Sequence, residues 1–319
     1  MSTRCPGRPV RRLAAATAGV LLVTAPWVVD DYSLTLISRA LAIGLLAVSV
    51  VVPTGWAGLA SPGQVAPYAV GAYTAANLAR AGVDVGLTQV AAAGLAGAAF
   101  AALTGLVLVR ARDVTFLLIS LLLGVLTATA AGNWAALTGG TNGLAGIPPV
   151  RAVWGTPLLG SDRAVYGYVL LLAAVLVAAT RGVLRSPAGL LLAGCRDNET
   201  RMRADGHPVH RYLYTAIVGA GGLAGAAGAL TITATGYISP ADVGFEVAVL
   251  VLLAVAIGGA TSLAGALSGA GLIVGTQNWA GPWQGHAPLL LGLLFIAAFY
   301  ARTARFRWHR VRLPRREAP

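Results

Sequence analysis

The sequence predicts an all-α fold, a polytopic transmembrane helical bundle, and three observations carry that prediction. Of the 319 residues, 57% are hydrophobic and only 11% are charged, where a soluble domain carries roughly 25%. Mean hydropathy is +0.75, and uncharged runs near the ~20 residues that span a bilayer as a helix recur along the chain. Ala, Leu and Gly dominate those runs without strand-like alternation, and 41 glycines suit helices packed backbone to backbone. Residues 1–319 read as one transmembrane domain.

Composition also excludes functions. All 23 basic residues are arginine, so the chain has no lysine for a P-loop or a Schiff base. The net charge of +12 gathers at the termini and in loops between spans, a membrane topology signal and not a nucleic-acid footprint. His207, His210, His286 and His309 are scattered, no HExxH occurs, and neither a metal nor a cofactor is expected. Cys5 and Cys195 both fall in segments placed in the cytoplasm, so no disulfide is expected.

The elements follow in order. Arg4, Arg8, Arg11 and Arg12 precede an uncharged run, Leu13 to Val29, read as an uncleaved first span. The second span runs from Leu34 to about Pro53, with Arg39 just inside and able to snorkel to headgroups. Pro53, Gly55, Gly58, Pro62, Gly63 and Pro67 then break the pattern before a short third span, Val65 to about Ala79. Such a break lines a wet pathway or forms an ordinary cytoplasmic turn, and both readings stand. On the first, Gly63, Gln64, Tyr68, Gly71 and Tyr73 lie on or near the route, as do Gly258 and Gly259 further on. Spans four and five, Val85–Val109 and Val114–Ala131, flank Arg110 and Arg112. A Gly/Pro-rich loop with Trp134 and Trp154 leads to the sixth span, Ala164–Thr180.

Residues 181–211 form a polar island. Ser186-Pro187 reads as a helix start and Gly206-His207-Pro208 as a stop. Asp197 with Arg201, and Glu199 with Arg203, are spaced as acid-first i,i+4 pairs on one short amphipathic helix. Leu191, Cys195 and Met202 form its apolar stripe. The helix either docks a partner or lies solvated. Beyond it come Tyr212–Ala234, then Val247–Ile257 and Ala264–Ala280 joined through Gly258-Gly259, the second glycine-interrupted pair. A tenth span, Ala287–Ala301, precedes a basic tail at 302–319. Ten spans place most of the 23 arginines inside together with both termini, and eight result if the short spans are re-entrant.

Four stretches resemble the permease subunits of branched-chain amino-acid ABC importers, the longer of the two paired permeases. They are Gly58–Ala75 with its Gly71-Ala72-Tyr73-Thr74-Ala75, and Asn133–Pro148 with its Leu137-Thr138-Gly139-Gly140 and Asn142-Gly143-Leu144. Arg196-Asp197-Asn198-Glu199 to Gly206, and Ile238-Ser239-Pro240 with Gly258-Gly259, complete them. The family's usual histidine in the first stretch is Gln64 here, and its paired alanines after the cytoplasmic glutamate are Arg201-Met202. The resemblance implies a non-enzymatic subunit forming half a channel in the bacterial cytoplasmic membrane. Its partners would be a second homologous permease, two ATPase subunits that bind ATP, an extracytoplasmic binding protein and the surrounding lipid. Asp197, Glu199, Arg201, Arg203 and Gly206 would then couple to an ATPase. Related permeases carry urea or other small metabolites. An ion-coupled secondary transporter is the competing class, and only Arg39 offers it a charge clearly inside a span.

Overall fold

The computed structural model describes residues 22, 24–27, 29–279 and 292. The expected tenth span, the basic tail and most of the first span lie outside them. Among the described residues the chain is helical, and its only strand-like pairings are isolated bridges. The membrane helices are α1 (Asp31–Val51), α2 (Val65–Arg80), α3 (Gly86–Leu108), α4 (Asp113–Asn133) and α5 (Asp162–Arg185). After the polar island come α8 (Val209–Thr235), α9 (Phe245–Gly258) and α10 (Leu263–Trp279). Their bounds overlap those of the second to ninth expected spans. Five of them, α1 with its extension to Trp56, α3, α4, α5 and α8, are long and apolar enough to cross a membrane.

Contacts define two ends of the bundle. At one end Arg112 pairs with Glu199, and Arg196 reaches the carbonyl of Gly55. At the other, Asp84 pairs with Arg151 at 2.7 Å, Arg163 with Asp31 at 3.9 Å, and Tyr32 donates to Asn278 at 2.7 Å. Successive membrane helices alternate between these ends, as a chain threading back and forth must.

Small residues decide which helix is central. Helix α8 packs against α1, α2 and α3, and 72% of its most apolar window is buried, against 22% for α4 and α5. Gly221, Gly225 and Gly228 let neighbouring backbones approach. A Cβ on Gly71 would strike the backbone of Gly225, so the α2–α8 crossing requires glycine.

The expected break is present and has a defined shape. Pro53 cannot donate an amide hydrogen, and α1 widens into a π-type turn over Val52–Trp56. A non-helical stretch follows to Ser61, then a 3₁₀ turn at Pro62–Gln64 opens α2.

The polar island differs from the expectation of one helix. It contains α6 (Pro187–Asp197) and α7 (Glu199–Ala204). Asn198 separates them with extended backbone, φ −160° and ψ 96°, and its side chain accepts from the Arg201 amide at 2.9 Å. That capping bond starts a new helix. Asp197 and Arg201 therefore sit on different helices and form no ion pair, whereas Glu199 and Arg203 pair at 2.7 Å. Ser186 precedes Pro187 as expected, yet its hydroxyl donates back to Val183 O at 2.7 Å and leaves the new helix uncapped. Helix α5 extends to Arg185, so Arg181 and Arg185 end a membrane helix.

Candidate functional site: a two-helix anchor and broken helices

Helices α6 and α7 are tied to the bundle by two arginines. Arg112, just before α4, holds Glu199 at 2.6 Å. Arg196 donates to Gly55 O at 2.5 Å, inside the π-type turn that ends α1. Leu192 and Cys195 are buried beneath α6, and Met202 packs over Gly194. Burial pushes the Cys195 thiol pKa up, and the charge of Glu199 adds to the rise. Gly206 closes the segment with φ +83° and open space around it, a conformation that suits glycine.

The proposed coupling residues therefore separate into two sets. Glu199 and Arg203 are used internally. Asp197 and Arg201 are exposed, with no ion pair among the described residues. Arg203 also lies 3.3 Å from His210 Nε2.

At this same end the two glycine-interrupted segments meet. A Cβ on Gly55 would fall on the backbone of Ala260, between α9 and α10. Gly258 lies against Gly265, where a Cβ would overlap that residue's carbonyl, and Gly259 takes φ +105°. Gly63 sits equally close to the backbone of Ser120 on α4. The α6–α7 segment, the α1 break and the α9–α10 break thus form one connected unit.

Of the residues expected on a wet route, Gln64, Tyr68, Gly71 and Tyr73 are buried and Gly63 is half-buried. Gln64 lines only a small void of about 20 Å³, and its Oε1 lacks a hydrogen-bond partner. Tyr68 donates to Thr231 Oγ1 at 3.1 Å. Tyr73 lines a groove of about 880 Å³ between α2, α3 and α4 that is overwhelmingly apolar. Its hydroxyl is buried and unpartnered. Asn77, one turn on, spans from Tyr73 O at 2.8 Å to Leu137 O at 2.9 Å, closing the far end of the groove.

Pairing across the sequence was not legible beforehand. Leu144 and Ile238 exchange backbone hydrogen bonds of 2.8 and 3.1 Å, joining two of the four quoted stretches. Arg39 does not simply reach for headgroups, because it lies 3.7 Å from Asp242 at the wall of a second cavity.

Interrupted helices bound at one end to a two-helix polar segment define a polytopic helical membrane protein. A family model described as branched-chain amino acid transport system, permease component, matches residues 32–301. The chain belongs to that family. The high-affinity branched-chain amino acid transport system permease protein LivM of Salmonella typhimurium LT2 is 27% identical over 299 residues, covering 87% of this chain and 70% of the relative. LivM of Escherichia coli K12 is 29% identical over 290 residues, covering 84% and 67%. No solved structure matches the chain.

Proposed function

We propose that this chain is the permease subunit of an ABC importer for branched-chain amino acids. It forms half of a channel in the bacterial cytoplasmic membrane, with both termini inside, and a second homologous permease supplies the other half. Two ATPase subunits bind and hydrolyse ATP, and an extracytoplasmic binding protein delivers substrate. The absence of lysine supports that division of labour, since no P-loop can be built here.

One observation carries the reading. The segment that would meet the ATPases is wired by Arg196 to the Gly55 carbonyl, at the point where both helix breaks touch. A displacement of α6 and α7 would thereby reach the interrupted backbone through Arg196 and the start of α4 through Arg112. In this account Gly63, Gly71 and Gly258 are the close contacts across which helices shift, and Gly259 turns the chain between α9 and α10. Gln64, Tyr68 and Tyr73 border the route, and the apolar groove beside Tyr73 suits aliphatic side chains. Asp197 and Arg201 face the ATPase, with Gly206 setting the exit of the chain.

The test is affinity purification of the full chain in mild detergent from cells carrying its native partners. A chain with a P-loop should co-purify. Asp197→Arg combined with Arg201→Glu should lower its yield severalfold at unchanged membrane insertion, because reversed charges at a docking face repel. An undiminished ATPase yield would remove these two residues from the interface, and no ATPase in the unaltered complex would overturn the proposal.

A further inference from the structure

The second cavity joins groups that are far apart in the sequence. Arg39 lies eight residues along α1 from Asp31, about 12 Å from its start. Asp242 is in the 3₁₀ turn Pro240–Val243, Glu246 is in the first turn of α9, and Gln277 is near the end of α10. All four line a space of about 200 Å³, with Leu250 and Ile273 among its aliphatic walls. Ionisable groups within membrane spans are costly and mark substrate or ion routes.

Their bonding is incomplete. One oxygen of Asp242 accepts from Ser239 N at 3.1 Å and Ser239 Oγ at 2.7 Å, while the other faces Arg39 at 3.7 Å. That distance is too long for a hydrogen bond, and the guanidinium has none among the described residues. Glu246 and Gln277 likewise have neither an ion pair nor a side-chain hydrogen bond there. A guanidinium fork matches a carboxylate in two parallel bonds. Two carboxylates beside it leave the site one negative charge in excess, which favours an ammonium. The volume is that of roughly seven waters at about 30 Å³ each, a scale that suits a small metabolite.

We propose that this cavity binds an α-amino acid, its carboxylate on Arg39, its ammonium between Asp242 and Glu246, and its side chain on Leu250 and Ile273. The assignment rests on the importer reading, and it names a substrate station within this subunit on the side away from α6 and α7. A phosphatidylethanolamine headgroup shares the chemistry of an anion beside an ammonium, so the test separates the two.

The experiment uses the assembled transporter in phosphatidylglycerol nanodiscs, with Cys5→Ser, Cys195→Ser and Gln277→Cys, and follows labelling by a small thiol reagent. Millimolar L-leucine should slow labelling at least threefold. Its analogues 4-methylpentanoate, without the ammonium, and isopentylamine, without the carboxylate, should not. Arg39→Gln should abolish the protection, each variant's labelling being referred to its own rate without leucine. Equal protection by either analogue, no protection by leucine, or protection by phosphatidylethanolamine discs alone would overturn the site. Leucine uptake by the same transporter is measured in parallel. Normal uptake without protection overturns the site and spares the importer reading, whereas protection without uptake supports the site and overturns that reading.

Discussion

Cys195 illustrates how much a single residue's surroundings escape its sequence context. It stands among charges in a polar island, yet it is buried against the bundle. Burial first, and Glu199 second, raise the thiol pKa, so the reactive thiolate becomes scarcer at neutral pH and more abundant as pH rises. With Cys5→Ser, maleimide labelling at pH 7 should run about tenfold or more below that of an exposed cysteine introduced at Thr200, chiefly because the sulfur must first be uncovered. The rate should climb between pH 7 and pH 9. Equal rates at the two positions would contradict the packing of α6. Gly206 was readable, because a glycine followed two residues later by proline marks a helix stop and only backbone torsion was at issue. Arg39 was not, since its partner Asp242 is some two hundred residues away and no local pattern encodes the pair.

At the scale of elements, the cytoplasmic segment was placed from its charge density and its flanking Ser-Pro and Gly-x-Pro signals. Its division at Asn198 was missed because two acid-first i,i+4 spacings favoured one continuous helix. The available clue was Asn198 followed by Glu199, a capping residue with an acid in the first turn. The structure also gives Glu199 a partner on another element. Arg112 and Glu199 are 32% and 27% exposed, and the intermediate setting predicts a coupling energy of about 1 kcal/mol, above most surface pairs and below a fully buried one. Arg112→Met and Glu199→Gln should each lower the melting temperature of the detergent-solubilised chain. Their double variant should be less destabilised than the sum by that amount. Strict additivity would show that α7 is not anchored to the start of α4. The α1 break was legible through its prolines and glycines, but its packing against Ala260 was not, because contacts between distant breaks leave no periodic trace.

Across the whole molecule, hydropathy was sufficient for a polytopic helical bundle, since it reports directly on the bilayer as solvent. It said little about which helices lie inside. That order depends on glycines at crossings such as Gly71–Gly225, whose use appears only when two helices are side by side. The central claim is that transport is powered by ATP on another chain and reaches this one through α6 and α7. The most direct test is radiolabelled L-leucine uptake in cells with and without the chain, while a protonophore collapses the ion gradients and cellular ATP is held constant. The account predicts that uptake requires this chain and survives the protonophore. Chain-dependent uptake that vanishes with the gradients at unchanged ATP would contradict it, and would assign the charged cavity at Arg39 and Asp242 to an ion-coupled carrier.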